Sequence, residues 1–266
     1  MIFAVMDIPK TLKIDEEQVI KLKNISEQNS ASSKDNTFHS SGSNVLDSIL
    51  NGGFCPGRMY LFFGANNTGK TQICHQFCVQ SSKNSKYVFY LDTENTFRAE
   101  RIRELDDSDE LDSNNILKNI YVSKAMSNVS ILYTLNDLET RLKDDHHQVL
   151  IIDSINNYFR YEQGEESIPY DSAKEIFMQI INKINEITIK YDLITLATAQ
   201  ITSNFIKNAI VRELPVGNQF LNHFFSEHLY LGKDQEIKNF IHLVNSQNLP
   251  EKKIFFRITS DGINEY

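Results

Sequence analysis

Gly64-Ala65-Asn66-Asn67-Thr68-Gly69-Lys70-Thr71 is the stretch that decides the fold of this 266-residue chain. It fits the pattern G-x-x-x-x-G-K-[ST], the phosphate-binding loop of nucleotide hydrolases. Glycines at both ends allow a tight backbone whose N–H groups turn inward on an anion. In this pattern the lysine reaches the β- and γ-phosphates of a nucleotide, and the hydroxyl group of Thr71 is placed to ligate Mg²⁺.

The residues on both sides of this loop favour the same interpretation. Residues 59–63, Met-Tyr-Leu-Phe-Phe, form a short apolar run with strand character. Apolar residues then recur at helical spacing, at Ile73, Cys74, Phe77 and Cys78. A helix that begins near Gly69 adds the positive end of its dipole to the anion site. A strand, a glycine-rich loop and a helix are the context that the motif requires, so a chance match is disfavoured.

Composition and charge limit the class of protein. The chain has 41% hydrophobic residues and a formal net charge of −8. The negative charge argues against broad nucleic-acid binding, because affinity for phosphate backbones comes largely from lysine and arginine. No run approaches the ~20 apolar residues of a membrane span. Three cysteines do not make a disulfide framework, so we expect buried thiols and an intracellular protein of the cytoplasm or nucleus.

Carboxylates follow two further predicted strands. Residues 87–92 form an apolar strand that leads into Glu94, and residues 149–153 form a buried strand that ends at Asp153. Because the carboxyl ends of strands meet at the ligand-binding edge of an open α/β sheet, we expect both carboxylates beside the phosphate loop. Asp153 fits the Walker B pattern, in which an aspartate orients Mg²⁺.

A glutamine ends a later predicted strand. Residues 193–199 are apolar and lead into Gln200. A polar amide at such a strand tip can sense the γ-phosphate, by orienting water or by gating a loop. A surface glutamine without that role is an equal alternative at this point.

The order of elements predicts an α/β fold with a mostly parallel, twisted sheet flanked by helices. We assign residues 1–40 to an N-terminal segment and linker and residues 41–266 to the core domain. Ser41-Gly42-Ser43 is expected to cap the first core helix. The other expected features are loops at 160–171 and 201–214, three strands of a C-terminal β extension at 227–231, 239–245 and 253–259, and an acidic tail at 261–266.

Taken together, these residues resemble the RecA/RadA recombinase family. The resemblance covers nearly all of residues 41–266, and it is strongest to the branch of archaeal RadA, RadB and eukaryotic recombinases with their paralogues. It implies a RecA-like P-loop NTPase core. The segments that carry it are Ser41–Asp47 with Gly52-Gly53, Thr68–Gln76, Tyr90–Arg101, Leu150–Ser154, Thr198–Gln200, Pro215–Asn218 and Asn245–Glu251.

The resemblance also implies a set of site residues, with ATP and Mg²⁺ as cofactors. Its catalytic residues are Lys70, Gln200 and Glu94, the last as the general base that polarises the attacking water; a glutamate that only caps a helix is the alternative. The ATP-binding residues are Gly64, Ala65, Asn66, Asn67, Thr68, Gly69, Lys70, Thr71, Gln72 and, near the adenine, Arg101. The metal ligands are Thr71 and Asp153. The residues that cap ATP on a neighbouring subunit are Ser246, Leu249 and Pro250.

The chain departs from the family pattern where self-assembly and DNA contact are expected. The 40 residues before Ser41 are too few for the helix-hairpin-helix domain of strand-exchange enzymes, and Leu22–Ile25 does not supply the Phe-x-x-Ala polymerisation motif. The first DNA loop, residues 161–171, has acidic residues and no arginine. Ala199 replaces an asparagine of the family, and Asn245 replaces an aspartate of the ATP cap. An intact ATP site with weakened DNA contact and self-assembly is therefore predicted.

This pattern favours a RadB-like recombinase paralogue with a weak or DNA-dependent ATPase activity. It would act in homologous recombination and DNA repair, on single-stranded DNA or on a recombinase filament. The alternatives are an interaction subunit that keeps ATP as a structural ligand, a full strand-exchange recombinase and, remotely, a KaiC-like kinase. Expected partners are single-stranded DNA, a recombinase or its paralogues and a further copy of the chain, with no membrane. Lys207 and Arg212 are the expected DNA contacts.

Overall fold

The computed structural model describes residues 38–106, 115–142, 148–205, 211–235 and 237–266. Residues 38–266 form one compact unit. The predicted N-terminal segment up to residue 37 and the predicted DNA contact Lys207 lie outside the described residues. The division into two domains therefore stays a prediction.

A nine-stranded sheet forms the centre of this unit. Its strands are β1 (Arg58–Gly64), β2 (Tyr87–Asp92), β3 (Ile120–Lys124), β4 (Gln148–Asp153), β5 (Ile194–Ala199), β8 (Glu227–Lys233), β9 (Asn239–Ser246), β10 (Lys252–Thr259) and β11 (Gly262–Asn264). Their order across the sheet is β11-β10-β9-β8-β1-β5-β4-β2-β3. The strands from β8 to β3 are parallel, and β9, β10 and β11 continue the sheet in antiparallel fashion. The predicted α/β fold with a C-terminal β extension is confirmed.

Helices cover the two faces of the parallel strands. They are α1 (Asn44–Ile49), α2 (Lys70–Lys83), α3 (Ala99–Leu105), α4 (Asn128–Arg141), α5 (Asn157–Gly164), α6 (Tyr170–Lys190) and α7 (Asn218–Leu221). Because successive residues of a strand face opposite sides, Phe62 of β1 joins the core beneath α1, α2 and α3. Its neighbours Leu61 and Phe63 join the core beneath α4, α5 and α6. No described helix combines the length and the apolar character needed to cross a membrane.

The start and the end of the core differ from the expectation. The hydroxyl group of Ser43 does not cap α1; it donates instead to the carbonyl oxygen of Ile263, at 2.8 Å. The backbone N–H of Ile263 donates to Oε1 of Gln76, also at 2.8 Å. These contacts bridge more than 180 residues of sequence and hold β11 in place, so the predicted acidic tail is wrong for residues 262–264.

Two predicted loops also contain regular structure. Helix α5 extends through Gly164, and its Phe159 stacks on Phe177 of α6 with ring centroids 4.2 Å apart. The expected loop at 160–171 is therefore wrong for most of its length. In the second loop, β6 (Ile201–Ser203) pairs antiparallel with β7 (Glu213–Pro215). We call this pair the β6–β7 ribbon.

Candidate nucleotide-binding site

The loop between β1 and α2 curls around the head group of Lys70. Nζ of Lys70 donates to the carbonyl oxygens of Gly64 and Ala65, at 2.8 and 2.9 Å. Asn67 and Gly69 have left-handed backbones, with φ of 61° and 105°, which asparagine and glycine adopt most readily. The predicted loop residues thus form one continuous turn that holds the lysine ammonium at its centre.

Gly64 is required by a close approach of two strands. A Cβ atom at this position would lie 2.1 Å from the carbonyl oxygen of Leu231 in β8. Real Cβ atoms do not come this close, so only glycine lets β1 end here while it still pairs with β8. The turn that follows also buries Lys70, and this burial lowers the pKa of its ammonium group, against the opposing charges of Glu94 and Asp153.

The carboxylate of Asp153 accepts hydrogen bonds from four hydroxyl groups. Its Oδ2 accepts from Thr71 Oγ1 at 2.8 Å, from the hydroxyl of Tyr90 at 2.9 Å and from Thr96 Oγ1 at 3.1 Å. Its Oδ1 accepts from Thr198 Oγ1. The two predicted Mg²⁺ ligands, Thr71 and Asp153, are therefore in direct contact. Hydroxyl and carboxylate oxygens are suitable ligands for this ion.

The described residues hold no cluster of three or more histidine, cysteine, aspartate or glutamate side chains arranged for a metal ion. In nucleotide sites Mg²⁺ binds through one or two protein oxygens together with substrate phosphates. Thr71 and Asp153 fit such a limited protein contribution.

Glu94 is held by donors from two other strand ends. Its Oε1 accepts from Ser154 Oγ at 2.5 Å and from Gln200 Nε2 at 2.8 Å. The backbone N–H of Gln200 in turn donates to Oδ1 of Asn156, at 2.8 Å. Both side-chain donors use the same oxygen, so Oε2 receives no hydrogen bond from the described residues and can accept one from water. Glu94 does not act as a helix cap, since α3 begins at Ala99.

The turn that carries Glu94 is shaped by Asp92. Its Oδ1 accepts from the backbone N–H groups of Glu94 and Thr96, at 3.2 and 3.1 Å, and its Oδ2 accepts from that of Phe97, at 3.0 Å. Asp92 is buried, and these three bonds explain why a carboxylate can be buried there. We call the carboxyl ends of β1, β2, β4 and β5 the nucleotide edge.

Arg101 and Gln72 meet where α2, α3 and β10 come together. Nε of Arg101 donates to Oε1 of Gln72 at 3.0 Å, and its Nη2 donates to the carbonyl oxygen of Thr259 at 3.0 Å. Nε2 of Gln72 is buried and has no hydrogen-bond partner in the described part of the chain. An unpaired buried donor costs about 1–3 kcal/mol, and a nucleobase nitrogen or carbonyl oxygen could satisfy it. Two predicted ATP-binding residues, Gln72 and Arg101, are therefore in contact.

The remaining predicted residues lie elsewhere. Arg212 is exposed at the end of the β6–β7 ribbon farther from Gln200, and its carbonyl oxygen accepts from the backbone N–H of Asn204 at 2.7 Å. Since β9 is antiparallel to β8, its end at Ser246 lies at the sheet edge opposite this chain's own phosphate loop. Leu249 and Pro250 follow Ser246 at the same edge, and the backbone N–H of Leu249 donates to Ser246 Oγ at 3.0 Å.

A cleft of about 630 Å³ opens beside Glu94. Its wall includes Lys124, whose Nζ donates to Oδ1 of Asn95 at 2.6 Å. The lining residues are Asp92, Thr93, Glu94, Asn95, Lys124, Ala125, Met126, Asn157 and Tyr158. The nucleotide edge therefore has open space next to its candidate base.

Several residues of the nucleotide edge were not predicted from the sequence. They are Tyr90, Thr96, Ser154, Asn156 and Thr198. A hydroxyl residue in an otherwise apolar strand is the signal that could have identified Thr198, which is fully buried in β5 and needs a hydrogen-bond partner there.

A parallel sheet, a lysine-centred loop and acidic strand ends together define a P-loop NTPase of the RecA type. The chain matches the Rad51 family over residues 34–266, and it belongs to that family. The resemblance seen in the sequence is thereby confirmed. Members of this family are in general ATPases that bind ATP with Mg²⁺, bind DNA, form filaments and act in recombination and repair.

Proposed function

We propose that this chain is a RadB-like recombinase paralogue that binds ATP, hydrolyses it slowly and supports homologous recombination and DNA repair. One observation carries the proposal. The four strand ends of the nucleotide edge are joined in two pairs by side-chain hydrogen bonds, from Thr71 to Asp153 and from Gln200 to Glu94. Residues from distant parts of the sequence thus converge on one phosphate loop.

The geometry supports a specific role for each residue. The ammonium group of Lys70 would exchange its two carbonyl contacts for oxygens of the β- and γ-phosphates. Mg²⁺, held by Thr71 and Asp153, would supply charge to the same phosphates. Glu94 would accept a proton from the attacking water, while Ser154 and Gln200 keep its carboxylate oriented.

Gln200 would also connect ATP to the β6–β7 ribbon. It lies immediately before β6, and its carbonyl oxygen accepts from the backbone N–H of Val216, just after β7, at 2.9 Å. A change in the contact between Gln200 and Glu94 on hydrolysis would therefore reach both strands of the ribbon. We infer that this is how nucleotide state would influence contact with single-stranded DNA through Lys207 and Arg212.

An interaction subunit with ATP as a structural ligand is the second candidate. The observation that favours it is a row of exposed apolar side chains along β3 and α4, since contiguous apolar surface marks protein contacts. Met126 and Tyr133 are 79% and 75% exposed. The side chains on this side of the sheet are Tyr121, Met126, Val129 and Tyr133. A recombinase, one of its paralogues or a further copy of this chain would fit such a surface.

The cap residues Ser246, Leu249 and Pro250 extend the proposal to assembly. They lie opposite the chain's own phosphate loop, so they would act on ATP bound to a neighbouring copy or paralogue. A location in the cytoplasm or nucleus is part of the same proposal, because its substrate is DNA.

ATP hydrolysis measured with and without single-stranded DNA tests the enzymatic part of the proposal. We expect slow turnover that DNA changes and that Glu94→Gln abolishes, while ATP binding is retained. Glu175→Gln, at an exposed acid of α6 outside the predicted DNA loops, is the matched control and should behave as the parent. Turnover that Glu94→Gln leaves intact would contradict the assigned base.

A size measurement with ATP, single-stranded DNA and the organism's main recombinase separates the two candidates. An ATP-dependent complex without measurable turnover in the parent protein would favour the interaction subunit. Turnover together with an ATP-dependent complex would favour the recombinase paralogue.

A further inference from the structure

Strand β10 buries one face and exposes the other. Ile254 and Phe256 face the core beneath α1 and α2. Since alternate residues of a strand face opposite sides, Lys253, Phe255 and Arg257 face away from that core, and all three are exposed. Cross-strand pairing extends this surface onto β9 and β8. We call it the outer face, and its members are Tyr230, Phe240, His242, Lys253, Phe255 and Arg257.

A row of aromatic rings connects the outer face to the interior. Ring centroids are 5.4 Å apart between Phe63 and Tyr230, 5.7 Å apart between Tyr230 and Phe240 and 6.2 Å apart between Phe240 and Phe255. The row begins in the core and ends at Phe255, which is 40% exposed. Phe255 is therefore a ring held in place by its neighbours, with a free surface toward solvent.

Two cations flank this ring on the same strand. Nζ of Lys253 lies 3.6 Å from the ring centroid of Phe240 and 5.3 Å from that of Phe255. Arg257 lies two residues beyond Phe255 on the same side. Neither cation forms an ion pair with a carboxylate among the described residues. The nearby carboxylate of Glu251 pairs with His242 instead, at 2.7 Å.

The outer face also adjoins the β6–β7 ribbon. The hydroxyl group of Tyr230 donates to Oε2 of Glu213 in β7, at 2.8 Å. Two exposed side chains stand near the ends of the ribbon strands, Phe205, which is 91% exposed, and Arg212. The strand that follows Arg212 therefore contacts the outer face, through Glu213.

We propose that the outer face is a binding surface for single-stranded nucleic acid, with a base stacked on Phe255 and with Lys253 and Arg257 against phosphates. Exposed rings alternating with cations are the chemistry by which proteins hold single strands without reading sequence. An acidic peptide would use the cations but would gain no stacking from the ring. This inference rests on the proposed function, because it supplies DNA contacts that the acidic turn between α5 and α6 lacks.

The test is the binding of a fluorescent oligothymidylate to the full chain, followed by anisotropy at several salt concentrations. Phe255→Leu, which keeps an apolar side chain against Phe240, should weaken binding about fivefold or more. Lys253→Ala and Arg257→Ala should each lower the slope of log affinity against log salt by about 0.7. The control Lys118→Ala removes an exposed lysine before β3, at the far edge of the sheet, and should match the parent.

Each outcome decides the inference. Parent-like affinity and salt slope in all three outer-face variants would overturn it, even if Arg212→Ala weakens binding; the proposed function would then stand with the ribbon as its DNA contact. Variants that lose self-association or binding of an acidic peptide but keep the oligonucleotide would also overturn it. ATP binding, measured on the same samples, reports separately on the proposed function.

Discussion

The nucleotide edge and the outer face belong to the same sheet but differ in how far their polar side chains are buried. At the nucleotide edge, polar side chains are buried and bound to one another, and Asp153 alone accepts from four hydroxyl groups. On the outer face, Lys253, Phe255 and Arg257 are exposed. Polar side chains of the nucleotide edge are bonded to one another, and those of the outer face are exposed to solvent.

This difference has consequences for how each region tolerates change. A buried polar network loses stability when any donor is removed, because its partners are left without hydrogen bonds. Exposed side chains can change with little effect on folding. The nucleotide edge should therefore respond to substitution in stability as well as activity, and the outer face in binding alone.

The largest effect is expected at Gly64. Gly64→Ala would place a Cβ atom 2.1 Å from the carbonyl oxygen of Leu231, so we expect a loss of about 3 kcal/mol in the free energy of unfolding. Its control is Gly164→Ala in α5, where an added Cβ meets nothing within 4 Å. That variant should be as stable as the parent or up to about 1 kcal/mol more stable. Equal losses in the free energy of unfolding for the two variants, measured in urea, would contradict this expectation.

A pH dependence of stability should come from two buried histidines. Burial lowers the pKa of His75, and likewise that of His228, from 6.5 to about 4. Between these values the unfolded chain binds more protons than the folded one, so the free energy of unfolding should rise with pH from about 4 to 6.5. Each histidine contributes up to about 1.4 kcal/mol per pH unit.

The variant His75→Gln checks this contribution. Denaturation at several pH values should show a shallower slope than in the parent, and His75→Gln with His228→Gln should be shallower still. If the slope of unfolding free energy against pH is unchanged in both variants, burial does not lower the pKa of these histidines in the folded protein.

A smaller effect is expected from one hydroxyl group beneath the nucleotide edge. Tyr90→Phe removes the donor at 2.9 Å from Oδ2 of Asp153, and hydrogen bonds to a charged group are worth about 1.5–3 kcal/mol. We expect a loss at the lower end, since Thr71 and Thr96 still donate to the same oxygen. Tyr121→Phe, on a half-exposed side chain of the edge strand β3, should change stability by less than about 0.5 kcal/mol. Thermal unfolding of both variants makes the comparison.

The smallest effect is expected from Gln200, which would act through Glu94. Gln200→Ala should lower kcat for ATP about tenfold, equivalent to about 1.4 kcal/mol, and leave ATP affinity near that of the parent. Gln163→Ala, at an exposed position of α5, is the control. A fall in affinity with unchanged kcat would assign Gln200 to nucleotide binding instead of positioning the base.

Motifs allowed the sequence to predict the nucleotide edge better than the contacts around it. Apolar runs that end in a carboxylate predicted β2 and β4, because such runs combine strand pattern with a polar tip. The hydrogen bonds of Ser43 and Thr198 could not be predicted in the same way, because each depends on a partner far away in sequence. Strand β11 was not predicted for the same reason. It is short, and its contacts with Gln76 and Ser43 hold it in place.

The second region shows the opposite limit. The alternating positions of Lys253, Phe255 and Arg257 can be read from the sequence. Whether these side chains are exposed depends on which face of β10 is covered. In the structure, α1 and α2 cover the face of β10 that carries Ile254 and Phe256. The opposite face, with the other three residues, is exposed. The sequence therefore shows which residue types β10 carries, and the fold shows which of them face solvent.

Titration of the protein with ATP, with and without Mg²⁺, tests the central claim most directly. If Lys70, Thr71 and Asp153 form one site, ATP should bind with an affinity that Mg²⁺ increases, and Lys70→Ala should weaken binding about 100-fold or more, since a charged phosphate contact would be lost. Binding that neither Mg²⁺ nor Lys70→Ala changes, or no binding at all by the folded parent protein, would contradict it.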